Sequence, residues 1–122
     1  TAWGVIKEAI DLQPEQTVLI RGGSSSVGLA ATSIAKDMGC TVLATTRKEA
    51  KASILKEAGV DHVLIDTGSI KEQVRSIVPA GVHGVVELVG RQNTIMDGLQ
   101  CIAPKGTMVP QGNHGNGWLF RG

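Results

Sequence analysis

The sequence predicts an α/β fold, in which a doubly wound parallel sheet of about five strands lies in a three-layer α/β/α arrangement. Five short apolar runs rich in β-branched residues recur along the chain, and their first residues are 21 to 24 positions apart. Continuously apolar runs are typical of parallel strands covered on both faces. Strands that alternate with helices form parallel βαβ units, and the expected strand order is 3-2-1-4-5. The five runs are Thr17–Arg21, Thr41–Thr46, His62–Asp66, Gly84–Val89 and Thr107–Gln111.

The first two helices are predicted from apolar residues at helical spacing. Trp3, Ile6 and Ile10 mark an N-terminal helix before the first strand, and Pro14 ends it. After the first strand, apolar residues at every third or fourth position across residues 27–38 form one stripe. That stripe predicts a helix that packs on the sheet.

Three further helices are predicted between the remaining strands. The first spans residues 48–58, the second starts where Ser69 and Glu72 have capping-box spacing, and the third spans residues 93–102. Each has apolar residues that we expect to face the sheet. In the helix over residues 48–58 these are Ala50, Ile54 and Ala58.

The turn after the first strand carries a motif for binding a dinucleotide. Gly23-x-Ser25-x-x-Gly28 matches the dinucleotide fingerprint, with serine at the middle glycine. Gly23 permits the tight turn, and Gly28 lets the helix pack closely on the sheet. The N-terminus of the helix supplies free N–H groups and partial positive charge to a pyrophosphate. The turn therefore predicts a Rossmann fold with a dinucleotide site, the alternative being a purely structural turn.

The end of the second strand indicates which dinucleotide binds. An NAD site normally places Asp or Glu here to hold the ribose hydroxyls, and residues 44–48 contain neither. Arg47 stands where a 2′-phosphate would lie, and Lys51 can add charge one helical turn later. The sequence therefore predicts NADP (NADPH) as the cofactor. The alternative is a solvated basic helix start.

Several segments together resemble the medium-chain dehydrogenase/reductase superfamily, and among its branches the zinc-independent quinone oxidoreductases. These segments are Thr17–Gly28, Ala44–Arg47, Leu55–His62, Glu87–Gly90 and Ala103–Gly106. One departure is Asp66, which stands where members of that branch often have a tyrosine near the 2′-phosphate.

The resemblance implies a role for each matching residue. Those expected to line the pyrophosphate are Ser25, Ser26, Val27 and Gly28, and Gly23 of the fingerprint is a further candidate cofactor-binding residue. Those expected to hold the 2′-phosphate are Thr46, Arg47 and Lys51, and those bordering the nicotinamide ribose are Val89, Gly90, Gly112 and Asn113.

The resemblance also implies a domain organisation and an activity. Residues 1–122 are expected to be the NADP-binding Rossmann domain of a two-domain oxidoreductase, whose barrel-like catalytic domain lies outside this sequence. The full enzyme would transfer hydride to a quinone, an enone or a related small-molecule carbonyl substrate, and a homodimer is possible. The alternatives are the cofactor domain of a zinc-dependent alcohol dehydrogenase and a non-catalytic NADPH-sensing domain.

No catalytic or metal-ligating residue is predicted within the chain. His62, His83 and His114 are isolated from one another in the sequence. Glu87 lies inside a predicted strand, where burial is costly for a carboxylate without hydrogen bonds, so we expect it to bond to backbone. Cys40 and Cys101 are interpreted as buried packing thiols.

Composition excludes two classes of partner. The net charge is +1, and no aromatic residue lies between positions 4 and 117, so we expect no nucleic-acid partner. The longest stretch without charged residues, 106–120, contains four glycines, so we expect no membrane partner. No signal peptide is visible, and we expect a cytoplasmic protein.

Overall fold

A six-stranded sheet forms the middle layer of the computed structural model, which describes residues 3–110 and 120–121. The strand order is β3-β2-β1-β4-β5-β6. The first five strands pair in parallel, and β6 pairs antiparallel with β5. The predicted α/β class and the order of the first five strands are therefore confirmed. The strands are β1 (Thr17–Arg21), β2 (Thr41–Thr46), β3 (His62–Ile65), β4 (Val82–Glu87), β5 (Ile102–Pro110) and β6 (Phe120–Arg121).

Helices cover both faces of this sheet. A π-helical segment, Gly4–Ala9, packs on one face with α1 (Ser26–Asp37) and α2 (Ala52–Glu57), which follows a 3₁₀ turn at Glu49–Lys51. The other face carries α3 (Lys71–Ile77) and α4 (Gln92–Leu99). No helix in the described part of the chain is long and apolar enough to cross a membrane.

Successive residues of β1 contribute to the two cores in turn, because side chains alternate across a strand. Val18 and Ile20 are fully buried under α1, whereas Leu19 is fully buried on the face that carries α3 and α4. Arg21 follows in the same alternation and so points toward α3 and α4. Its side chain is also fully buried. A charged residue thus occupies a core position at the end of the central strand.

The face of the helix over residues 48–58 was predicted wrongly. Leu55 is fully buried, whereas Ile54 is 43% exposed and Ala50 is exposed. The segment begins as a 3₁₀ turn at Glu49–Lys51 and becomes α-helical only at Ala52. Because a 3₁₀ turn advances each residue by a larger angle than an α-helix, the buried stripe shifts by one position.

The capping box at Ser69 was also predicted wrongly. The first helical residue of α3 is Lys71, and the preceding Ile70 makes no side-chain cap hydrogen bond. The Ser69 hydroxyl instead donates to Asp97 Oδ1 at 2.8 Å, in the following helix α4. A tertiary hydrogen bond thus replaces the local cap.

Other differences from prediction concern boundaries and exposed apolar residues. The fifth strand starts at Ile102, a residue assigned by its spacing to the preceding helix. Val27 is 38% exposed, so it does not pack on the sheet as the stripe over residues 27–38 predicts, and Trp3 before the first strand is 54% exposed. Ala31 and Ala35 are buried, as the stripe over residues 27–38 predicts, and Gly28 is buried beside them.

Candidate functional site

The parallel strands β1 to β4 all end at the same edge of the sheet, where the glycine turn lies. In doubly wound folds, ligands bind in the crevice outside the carboxyl ends of the strands, at the point where the strand order reverses. Here that reversal lies between β1 and β4, which pair in parallel from Val18 with Gly84 to Arg21 with Glu87. The predicted site residues therefore cluster at the edge that this fold uses for binding.

Backbone and side-chain hydrogen bonds fix the glycine turn. Gly23 donates its N–H to the Thr45 carbonyl at 2.9 Å, and Gly22 donates to the Thr45 hydroxyl at 3.0 Å. Gly22 has φ +84°, which favours glycine because it has no Cβ. These bonds tie the start of the turn to the end of β2.

Ser25 ends the turn as the N-cap of α1. Its Oγ accepts a hydrogen bond from the Gly28 N–H at 3.1 Å, and its backbone is extended, with φ −72° and ψ 164°. Within the part of the chain that the structure describes, no acceptor lies against the N–H groups of Ser26 and Val27. Both residues are exposed. The start of this 12-residue helix thus presents amide donors and positive dipole charge to solvent.

Gly28 lies where the helix crosses the turn with no room for a side chain. A Cβ added at Gly28 would lie 2.6 Å from the Gly23 carbonyl oxygen and 2.7 Å from the Gly23 Cα. A Cβ added at Gly23 would lie 2.8 Å from the Ala44 Cβ on β2. Both fingerprint glycines are therefore required by close contacts within the fold, as the sequence motif predicts.

A small cleft of about 170 Å³ opens between the glycine turn and the end of β2. Arg47, Lys48 and Lys51 are all exposed along it. Thr46 is buried, and its hydroxyl accepts the Lys48 N–H at 3.3 Å, which shapes the bend after β2. The residues that line the cleft are Gly22, Ser24, Thr45, Thr46, Arg47, Lys48, Lys51, Asp66 and Val89. We call this the basic cleft.

A second cleft of about 280 Å³ adjoins the basic cleft and shares Arg47, Asp66 and Val89 with it. It extends from the end of β3 to the start of α4. Its lining residues are Arg47, Asp66, Thr67, Gly68, Val89, Arg91, Asn93 and Thr94. We call this the outer cleft. Because three residues line both, the two clefts form one groove across the strand ends.

A buried ion-pair network lies beneath this groove. The Arg21 guanidinium donates to both oxygens of Asp66, from Nε to Oδ2 at 2.8 Å and from Nη2 to Oδ1 at 3.0 Å. It also donates from Nη1 to Asp97 Oδ2 at 2.9 Å. The carbonyls of Thr94 and Gly68 accept further bonds at 3.0 and 3.1 Å. Removing one partner from such a buried network typically costs about 3–5 kcal/mol.

The network fixes the protonation state of Asp66. Burial acts to raise the pKa of this carboxyl, but hydrogen bonds from Arg21 and the Gly68 amide outweigh it, together with the charges of Arg21 and Arg47. The pKa of Asp66 therefore lies below its ordinary value. Two carboxylates likewise raise the pKa of Arg21 although burial opposes this.

Glu87 organises the loop after β4, as predicted from its position inside a strand. Its Oε1 accepts the Val89 N–H at 3.2 Å and its Oε2 accepts the Gly90 N–H at 2.7 Å. Gly90 has φ +79°, so the loop turns sharply here. Val89 is thereby held at the groove, where it lines both clefts.

The structure brings together only part of the predicted site. Thr46, Arg47, Lys51 and Val89 line the basic cleft, and the turn residues from Gly23 to Gly28 lie at the start of α1. Gly112, Asn113 and His114 lie outside the described residues. His62 begins β3 and His83 Nδ1 accepts the Thr17 N–H at 3.1 Å, both at the opposite edge of the sheet.

Sequence reasoning missed the residues on the far wall of the groove. These are Thr67, Gly68, Arg91, Asn93 and Thr94. They belong to loops after β3 and β4, and only their place just after strand ends could have signalled them. Arg21 was missed as a functional residue because its partners are 45 and 76 positions away.

Comparison with known proteins gives consistent matches across most of the chain. Residues 26–118 match the family model described as zinc-binding dehydrogenase. A quinone oxidoreductase-like protein 2 homolog from Nematostella vectensis is 33% identical over 115 residues, which are 92% of this chain and 31% of that protein.

Two solved structures are similar in fold and in sequence. AibC is 37% identical with a TM-score of 0.86, over 96% of this chain and 33% of that one. A mycobacterial protein complexed with NADPH is 31% identical with a TM-score of 0.83, over 91% of this chain and 34% of that one. The chain thus spans about a third of the length of each of these relatives.

Proposed function

The chain belongs to the zinc-binding dehydrogenase family, and we propose that it binds NADPH for an enzyme that transfers hydride to a quinone, an enone or a related carbonyl compound. The family match and the quinone oxidoreductase-like relative confirm the predicted medium-chain dehydrogenase/reductase superfamily. From this membership we infer that the chain is the dinucleotide-binding part of an oxidoreductase. The activity of the whole protein, the choice of NADPH and the substrate are all proposals.

The arrangement of charge around Arg47 is the observation that favours NADPH over NADH. Arg47 lines both clefts, with Lys48 and Lys51 beside it in the basic cleft. Asp66 is the carboxylate that shares these walls, and Arg21 holds both of its oxygens. A 2′-phosphate would meet a planar guanidinium donor there, whereas a free ribose hydroxyl would find no open carboxylate to accept its hydrogen bond.

The groove and the glycine turn offer places for the remaining parts of NADPH. The exposed start of α1, with its N–H groups at Ser26 and Val27, would hold the pyrophosphate. The outer cleft has the volume for an aromatic base, and Arg91 on its wall offers a guanidinium plane on which a base can stack. Bound there, NADPH would supply the hydride, and the protein would supply binding and orientation.

The zinc in the family's name has no fit among the described residues. No group of three or more His, Cys, Asp or Glu side chains that could hold a metal ion occurs among them. Cys40 and Cys101 are both buried, and they belong to the cores on opposite faces of the sheet. We therefore assign no zinc chemistry to these residues.

The substrate, the catalytic domain and the assembly concern the whole protein. We propose that a second domain outside this sequence binds the small-molecule carbonyl substrate, as the resemblance to quinone oxidoreductases implies. A homodimer and a cytoplasmic location stay predictions. Consumption of NADPH by the full protein in the presence of quinone and enone substrates would test the activity directly.

Titration of both cofactors into wild-type protein and an Arg47→Ala variant tests the binding proposal. A charge-assisted hydrogen bond contributes about 1.5–3 kcal/mol, which corresponds to a preference for NADPH over NADH of about 10- to 150-fold. Arg47→Ala should remove most of that preference and leave NADH affinity nearly unchanged. Lys56→Ala is the matched control, because it removes an exposed positive charge from α2 that lines neither cleft. Equal wild-type affinities for NADPH and NADH would refute the proposal.

A further inference from the structure

We propose that Arg21 is a positioning residue for cofactor specificity, which keeps the groove selective for a 2′-phosphate by neutralising Asp66 from beneath. This inference rests on the proposed function, because it concerns the same phosphate site. Arg21 is fully buried and lines neither cleft, so it acts through Asp66 and not by contact with the ligand.

Asp66 would place a negative charge at the proposed phosphate site if Arg21 did not pair with it. Asp66 follows β3, and its N–H donates to the Thr46 carbonyl at 2.9 Å, which places it beside the end of β2 and Arg47. Asp66 lines both clefts together with Arg47. A free carboxylate there would repel a phosphate dianion. It would also attract the Arg47 guanidinium and offer an acceptor to ribose hydroxyls, which is how acidic residues favour NAD.

The geometry of Arg21 removes this negative charge from the groove. Its Nε and Nη2 donate to the two oxygens of Asp66 in a bidentate pair, at 2.8 and 3.0 Å. The Gly68 N–H donates to Asp66 Oδ1 at 2.8 Å, so three donors are directed at one carboxylate. The Asp66 side chain is only 6% exposed. Its oxygens are therefore occupied from the protein side.

Asp97, the second carboxylate of the network, does not place a negative charge in the groove. Asp97 pairs with Arg21 Nη1 and also accepts the Ser69 hydroxyl and the Ile70 N–H, each at 2.8 Å. Asp97 lines neither cleft. Local donors thus satisfy Asp97 away from the ligand. Among the described residues, the charged side chains that line the groove without a salt bridge are Arg47, Lys48, Lys51 and Arg91.

Binding of two small probes that differ only in the 2′-phosphate tests the inference. We would measure the dissociation constants of 2′,5′-ADP and 5′-AMP by calorimetry at fixed salt, in the full chain and its variants. Arg21→Gln combined with Asp97→Asn leaves Asp66 as the one unpaired charge of the three. The preference for 2′,5′-ADP should then fall by at least about tenfold, since a like charge stands beside the phosphate. Adding Asp66→Asn should restore the preference to within about threefold of wild type.

A single variant keeps the inference testable if the combined variants do not fold. Asp66→Asn leaves Arg21 paired with Asp97, and the preference should stay within about threefold of wild type because that charge is already neutralised. A tenfold or larger rise in this variant would overturn the inference, as would an unchanged preference in the folded Arg21→Gln/Asp97→Asn protein. If wild type itself shows no preference for 2′,5′-ADP, the proposed function fails and the inference fails with it.

Discussion

Replacing Gly28 by alanine should damage both the fold and the dinucleotide site. The added Cβ would lie 2.6, 2.7 and 2.8 Å from the carbonyl oxygen, Cα and carbonyl carbon of Gly23. All three atoms are backbone, so no side chain can rotate out of the way. Gly23 is itself held by its hydrogen bond to the Thr45 carbonyl and by a close approach to Ala44. The helix start must therefore move away from the sheet.

This displacement has a predictable size in two measurements. Overpacking of this kind costs about 1–3 kcal/mol in the free energy of unfolding. Movement of the α1 N-terminus would also misplace the N–H groups proposed to hold the pyrophosphate. The loss of one hydrogen bond to a charged group costs about 1.5–3 kcal/mol, so affinity for NADPH and for NADH should each fall about 10- to 150-fold. Both cofactors should lose equally, because both contain the pyrophosphate.

Urea unfolding and calorimetric titration of the same preparations would measure these two effects. Gly4→Ala is the matched control, because an added Cβ there meets nothing within 4 Å. Its free energy of unfolding should stay the same or rise by about 0.4–1 kcal/mol, since alanine restricts the unfolded chain. A Gly28→Ala protein with wild-type stability and wild-type affinity for both cofactors would refute the packing argument.

Three further predictions concern parts of the fold around the site. Because the folded pKa of Asp66 is lowered, its contribution to stability is full above the unfolded pKa of about 3.9 and is lost as the pH falls through the folded pKa. The difference in unfolding free energy between wild type and Asp66→Asn should therefore shrink below about pH 4, and a constant difference from pH 6 to pH 3 would contradict this. Burial raises the pKa of the Cys101 thiol to about 11, and the negative charge of Asp97 adds to this effect. In a Cys40→Ser variant, which removes the other free thiol, Cys101 should therefore react with Ellman's reagent at pH 8 only after unfolding. Leu55→Ala should cost about 2–5 kcal/mol and Ile54→Ala less than about 1 kcal/mol, and the reverse order would mean that α2 packs by the other face.

The elements that could be predicted from sequence are those that local spacing specifies. The bounds of β1 and β2 agree with prediction because each is a continuous apolar run ended by glycine or by charged residues. The glycine turn was equally readable, since Gly23 and Gly28 are needed for contacts within one βαβ unit. In both cases the deciding interactions connect residues that are close in the chain.

The features that were missed depend on contacts between distant segments. The hydroxyl of Ser69 has a capping-box spacing in sequence but bonds to Asp97, which is 28 positions away. The face of α2 depends on where a 3₁₀ turn becomes an α-helix, and apolar spacing does not record that change. Local sequence patterns show which bonds a segment could form, whereas the tertiary fold determines which of them do form.

Asp66 shows why cofactor choice requires the three-dimensional pairing. By residue type alone, an acid near the proposed 2′-phosphate counts against NADPH. In the fold, the alternation of side chains along β1 directs Arg21 to the face that carries α3 and α4. There its guanidinium donates to both oxygens of Asp66. An unpaired Asp66 would therefore count against NADPH, whereas Asp66 paired with Arg21 does not. A substitution that frees Asp66 from Arg21, which itself lines neither cleft, should therefore weaken the preference for a 2′-phosphate at the strand ends.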